Sequence, residues 1–179
     1  MTRTSFETTW CENANPRLVL VATDTSAASA SAERAGIELA ARVGASLIFL
    51  SVIDPDRLRL PGGLFHTRVD QVRSERGSAL ARMVEDARGR RVSALSLIWE
   101  GDPGTVVIEA AEAEGADVIV VGSHARGTVG RLLLGSVSTY VLEHSRRKVV
   151  VVRPDQLLDD VWPLDRPHGV PGVTQRAAS

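Results

Sequence analysis

The segment from Gly122 to Ser136, Gly-Ser-His-Ala-Arg-Gly-Thr-Val-Gly-Arg-Leu-Leu-Leu-Gly-Ser, carries the residue types that hold phosphate. Gly122, Gly127, Gly130 and Gly135 admit backbone angles that other residues resist, and they let a ligand approach the main chain. Gly135-Ser136 reads as the opening of a helix, where free N–H groups and the positive end of the dipole attract anions. Ser136 and Ser138 add hydroxyl donors, Arg126 and Arg131 add charge for phosphate oxygens, and His124 joins them when protonated. Asp24, after a separate apolar run, is the second polar feature of this kind. Each has a plainer role as well: the loop as a turn, the arginines as solvated surface groups, Asp24 as a helix cap.

Several chemistries are excluded by what is missing. Gly122-x4-Gly127 resembles the start of a P-loop, but Thr128-Val129 stand where Lys-Ser/Thr is required. The dinucleotide pattern G-x-G-x-x-G follows neither Asp24 nor Val121, and no G-x-S-x-G nucleophile elbow occurs. His66, His144 and His168 do not cluster in sequence with other metal ligands. Cys11 is the one cysteine, so no internal disulfide forms. With no catalytic base to name, the sequence favours binding over turnover.

The elements that must position the loop are read from apolar patterning. Arg17–Ala22, Leu47–Ile53, Asp117–Val121 and Lys148–Arg153 are short apolar runs of the kind buried on both faces of a parallel sheet. Arg91–Trp99 is less apolar and reads as a strand at an edge. Between them lie helices at 27–43, ended by Gly44; at 67–89, amphipathic and weakened near Gly77; from the cap Asp102 and Pro103 to Gly115; and at 136–145. Residues 54–66, with Pro55, Pro61, Gly62 and Gly63, read as a loop. The order β-α-β-α-β-α-β-α-β predicts an α/β fold: an open, parallel, five-stranded, Rossmann-like sheet with helices on both faces. In such sheets ligands bind beyond the carboxyl ends of the strands, where the strand order reverses. If the first and fourth strands are neighbours there, Asp24 faces Gly122 across one crevice.

The totals suit one soluble domain with tails. The chain has 179 residues, 44% of them apolar and 24% charged. Residues 1–15 read as a disordered leader, 16–154 as the domain and 155–179 as a flexible, proline-bearing tail. A net charge of -1 gives no electrostatic footprint for nucleic acid. No stretch approaches the ~20 apolar residues of a membrane span, and Met1–Glu7 lacks a signal-peptide core, so a cytoplasmic location is expected.

At this point the chain resembles the universal stress proteins. Val-Ala-Thr-Asp24, Leu-Ser-Val-Ile-Asp54, Val-Ile-Val-Val-Gly122-Ser-His, Leu-Leu-Leu-Gly135-Ser136-Val-Ser138 and Val-Val-Val-Val-Arg-Pro154 all fit that family's pattern, including most of G-x2-G-x9-G-[ST]. The resemblance covers about residues 16–154 and implies a fold like that of the adenine nucleotide alpha hydrolases. It implies ATP, with or without Mg2+, as the ligand of a stress-response sensor or regulator. By position, Ala22, Thr23 and Asp24 would meet ribose or adenine, and the backbone of Val52 the adenine edge. Val121 and Gly122 would line the pocket. Ala125, Arg126 and Gly127 would lie along the phosphate loop, and Gly135, Ser136, Val137 and Ser138 would hold phosphates. Ala125 stands where the motif has its second glycine. A methyl group there can crowd the phosphates, with Gly127 two residues on as a possible compensation. The alternative is therefore a non-nucleotide-binding dimeric interaction module of the same family. Either way the resemblance implies a homodimer, paired along the fifth strand from Val149 to Arg153, whose bare apolar edge invites a second copy.

Overall fold

Five apolar runs become five parallel strands. The computed structural model describes residues 15–59, 65–123, 134–153 and 158. The strands are β1 (Leu18–Ala22), β2 (Ser46–Ile53), β3 (Ala94–Glu100), β4 (Val118–Gly122) and β5 (Lys148–Val152). Four helices alternate with them: α1 (Ala30–Val43), α2 (Phe65–Gly89), α3 (Pro103–Ala113) and α4 (Ser136–His144). The spatial order is β3-β2-β1-β4-β5, so β1 and β4 are neighbours and the strand order reverses between them. Val21 lies opposite Phe49 on one side and Val120 on the other.

Strict alternation along the strands sends side chains into two cores. Val19, Val21, Leu47, Phe49, Val118 and Val120 pack with Ile37, Leu39 and Ala40 of α1 and with Leu80, Val84 and Ala87 of α2. Leu20, Ile48, Leu50, Ile119 and Val121 pack on the other face with Val106, Val107 and Ala110 of α3 and Val141 of α4. Burial on both faces is why these strands read as continuous apolar runs.

Most boundaries shift by a few residues, for local reasons. The first helix starts at Ala30 rather than 27 because residues 24–29 form a turn, with Ser29 N–H donating to the Ser26 carbonyl at 3.0 Å. Gly44 ends it in the left-handed conformation at φ 72°. Residues 56–58, expected as loop, form a short 3-10 helix, and Phe65 and His66 belong to α2. The expected weakness at Gly77 is absent: α2 runs unbroken for 25 residues. The third strand begins at Ala94, not Arg91, because Arg91 sits at φ 64° in the turn that closes α2. It does lie at a sheet edge. Asp102 caps α3 by accepting from Thr105 N–H at 3.0 Å, with Pro103 in the first turn.

Candidate functional site

The turn after β1 is built to hold Asp24. Thr23 is buried, and its N–H donates to the Leu50 carbonyl at 2.9 Å, which fixes the chain against β2 one residue past the end of β1. The Thr23 hydroxyl accepts from Thr25 N–H at 2.8 Å and donates to Glu33 Oε1 at 2.5 Å. Thr25 is thereby held at φ 61°, a conformation rare for a β-branched residue. Asp24 Oδ1 accepts from Ser26 N–H at 3.0 Å and from the Ser29 hydroxyl at 2.6 Å. Asp24 thus braces the turn leading into α1 and is not the helix cap, which is Ser29. Its carboxylate remains exposed at the carboxyl edge of the sheet.

Glu33 under this turn responds to pH. Burial raises its carboxyl above the ordinary value; the Thr23 hydrogen bond works against this, Asp24 adds to it and Arg34 subtracts. The folded state therefore keeps the proton to a higher pH than the unfolded chain does. The stability associated with that proton is present at acid pH and is lost as pH rises from the ordinary carboxylate value through the raised one. Glu33→Gln keeps an acceptor for Thr23 and removes the titration. The variant should match wild type at acid pH and be the more stable at neutral pH. Paired thermal melts across that interval check this, and a constant difference would contradict it.

Across the crevice, β4 ends at Gly122, and α4 begins after Gly135. Gly135 brings no side chain to cap the helix. The N–H groups of the first turn, at Ser136, Val137 and Ser138, have no acceptor within the helix. Ser138 is 2% exposed, and its hydroxyl donates to the Gly135 carbonyl at 2.9 Å. Ser136 is exposed.

Ala22, Thr23, Asp24, Val52, Val121, Gly122, Gly135, Ser136, Val137 and Ser138 all line one crevice of about 410 Å³, a volume within the range of small-molecule sites. Ala125, Arg126 and Gly127, with His124, Gly130 and Arg131, lie outside the described residues. Sequence reasoning missed the wall supplied by α2 and by the segment after β2: Arg57, Leu58, Val72 and Arg76 also line the crevice. Arg57 Nε pairs with Asp54 at 3.0 Å. Arg76 Nη1 donates to the Ser51 hydroxyl at 3.1 Å and to the Val52 carbonyl. Burial lowers the Arg76 guanidinium from its ordinary value, and the charge of Asp24 works in the opposite direction. Among the described residues, no group of His, Cys, Asp and Glu side chains is arranged to hold a metal ion, and no helix is long and apolar enough to cross a membrane.

One end of the crevice thus offers helix N–H donors, the opposite end apolar walls, and a carboxylate stands at its rim. Known proteins share the architecture. UspA of Lactobacillus plantarum is 25% identical, superposes with a TM-score of 0.70, and is matched over 79% of this chain and all of its own. A universal stress protein in complex with cAMP superposes at a TM-score of 0.60 with 24% identity, over 79% of this chain and 99% of its own. A universal stress protein of Methanocaldococcus jannaschii is 28% identical over 137 residues, 75% of this chain and 81% of that relative. A more local alignment, 39% identical over 57 residues, spans only 35% of its relative. The family model for universal stress proteins matches residues 16–153, so the strands, the helices and the whole described crevice fall within it, and this chain belongs to the universal stress protein family.

Proposed function

We propose that this protein binds an adenine nucleotide, ATP in the first instance, in the crevice between β1 and β4, and that it acts through the bound nucleotide as a stress-response sensor or regulator. The observation that carries the reading is the pairing of the uncapped N-terminus of α4 with the Asp24 carboxylate across a single crevice. Helix N–H groups at Ser136–Ser138 receive phosphate oxygens. Asp24 accepts from ribose hydroxyls, and the apolar walls of Leu50, Val52 and Val107 enclose the base. Gly122 lines the crevice where β4 ends. The cAMP complex of a structural neighbour, and the dAMP complex of another from Archaeoglobus fulgidus, support this ligand class. The same reading pairs two copies along β5, the outermost strand beside β4, from Val149 to Arg153.

Isothermal titration with ATP tests it. Wild type should bind saturably and melt at a higher temperature with millimolar ATP and magnesium. Asp24→Asn retains an acceptor for Ser26 and Ser29 but loses the charge facing the ribose, and should bind about tenfold more weakly. Absence of both heat and thermal shift in wild type would overturn the proposal.

A further inference from the structure

The apolar end of the crevice contains a cation that belongs to the protein. Arg76 lies one helical turn before Leu80, which is 1% exposed and anchors α2 on the sheet. The guanidinium is therefore held by a packed helix, and it reaches the carboxyl end of β2 beside Leu50, Val52 and Val72. There the backbone carbonyls are the natural acceptors for a base edge, and two of them are taken. Leu50 O accepts from Thr23 N–H at 2.9 Å and Ile53 O from Gly101 N–H at 3.0 Å. Strand carbonyls alternate in direction, so Val52 O projects toward the same side as Leu50 O, past the end of β1 at Ala22. It is the carbonyl that turns toward the crevice, and Arg76 Nη1 donates to it. The second partner of Nη1, the Ser51 hydroxyl at 3.1 Å, belongs to a residue with 0% exposure, which fixes the guanidinium further.

This arrangement reverses the hydrogen-bonding character of the base end. A bare carbonyl rewards an exocyclic amino group. A carbonyl that already accepts from a guanidinium has one lone pair left and a cation beside it, and it rewards that group less. Resting on the nucleotide reading above, we infer that Arg76 is a specificity-determining residue that makes the crevice indifferent to the 6-amino group of adenine, so that its ligand class is purine nucleotides in general, selected by phosphate and ribose. 6-Oxopurines are admitted as well, because the guanidinium beside the Val52 carbonyl offsets the repulsion between that carbonyl and their 6-oxygen.

Three ligands and one substitution test the inference. ATP, GTP and purine riboside 5′-triphosphate, which lacks the exocyclic group, are titrated into wild type and into Arg76→Met, whose circular dichroism is checked first. In wild type the three affinities should agree within about threefold. In Arg76→Met the Val52 carbonyl is released, and ATP should bind about 3- to 10-fold more tightly than purine riboside triphosphate, the worth of one neutral hydrogen bond. A wild type that already prefers ATP over purine riboside triphosphate by tenfold overturns the inference, as does an unchanged ratio in a folded variant. If Arg76→Met does not fold, the wild-type comparison decides alone. Binding of none of the three by either protein overturns the nucleotide reading itself, an outcome distinct from binding with the wrong selectivity.

Discussion

Gly36→Ala should lower stability by about 2 kcal/mol, whereas Gly77→Ala should raise it, although both residues lie inside helices. Helix propensity alone favours alanine by about 1 kcal/mol at each position. Packing decides the sign. A Cβ on Gly36 would overlap Val21 Cγ2, well inside van der Waals contact. Val21 has nowhere to go: it is 0% exposed, β-branched and flanked by Phe49 and Val120 in the neighbouring strands. Forcing extra volume into such a core costs about 1–3 kcal/mol, and this overlap belongs at the upper end. Subtracting the propensity gain leaves about 2 kcal/mol, or a fall of about 4–8 °C in melting temperature for a chain of this size. At Gly77 a Cβ would meet only Ile98 Cδ1, at 3.9 Å, which is ordinary contact. The gain there is about 0.5–1 kcal/mol. Parallel melts of the two variants check both signs. A Gly36→Ala variant as stable as wild type would mean that α1 does not press on β1 as closely as described.

The same pair of glycines shows how far the sequence could be read. The apolar runs announced the strands because burial on both faces leaves no polar alternation to confuse the pattern. Gly77 suggested a weak helix because propensity was visible and the packing of Leu80, Val84 and Ala87 on the sheet was not. The start of β3 was misplaced because an arginine, Arg91, takes the left-handed position that a glycine usually marks. In the crevice, Asp24 and Gly122 were legible from their places at strand ends, and Gly135 from its place before a helix. Arg76 was not, since one arginine among many on an amphipathic helix reads as solvated. Its neighbour Arg73 does pair with exposed Glu100 at the surface. A signal existed all the same: Val69, Val72, Arg76, Leu80 and Met83 follow one another at helical spacing, so Arg76 interrupts the stripe that faces the sheet. A charge inside an apolar stripe needs a buried partner, and here the Val52 carbonyl and the Ser51 hydroxyl supply it.

Ser136→Asp should separate stability from binding by moving them in opposite directions. Ser136 is the first residue of α4, it is exposed, and its helix has no side-chain cap from Gly135. A carboxylate in that first turn interacts favourably with the helix dipole, worth about 0.3–1 kcal/mol. The variant should therefore melt at or slightly above wild type. The same carboxylate faces the crevice where the proposed phosphates sit, and it both repels them and competes for the N–H groups of Val137 and Ser138. Two unit charges 4 Å apart interact by about 4 kcal/mol at an effective dielectric constant of 20, and a triphosphate carries more than one charge. Even with solvent screening, ATP affinity should fall by at least about 100-fold, which a titration of the folded variant would read directly. Added salt should narrow the gap, because the loss is electrostatic. Ser136→Ala serves as the control: it removes one hydroxyl without adding charge, and should weaken binding by only a few-fold, on the order of one neutral hydrogen bond. A stable Ser136→Asp protein that binds ATP as wild type does would remove the N-terminus of α4 from the site and leave the nucleotide reading without its anion end.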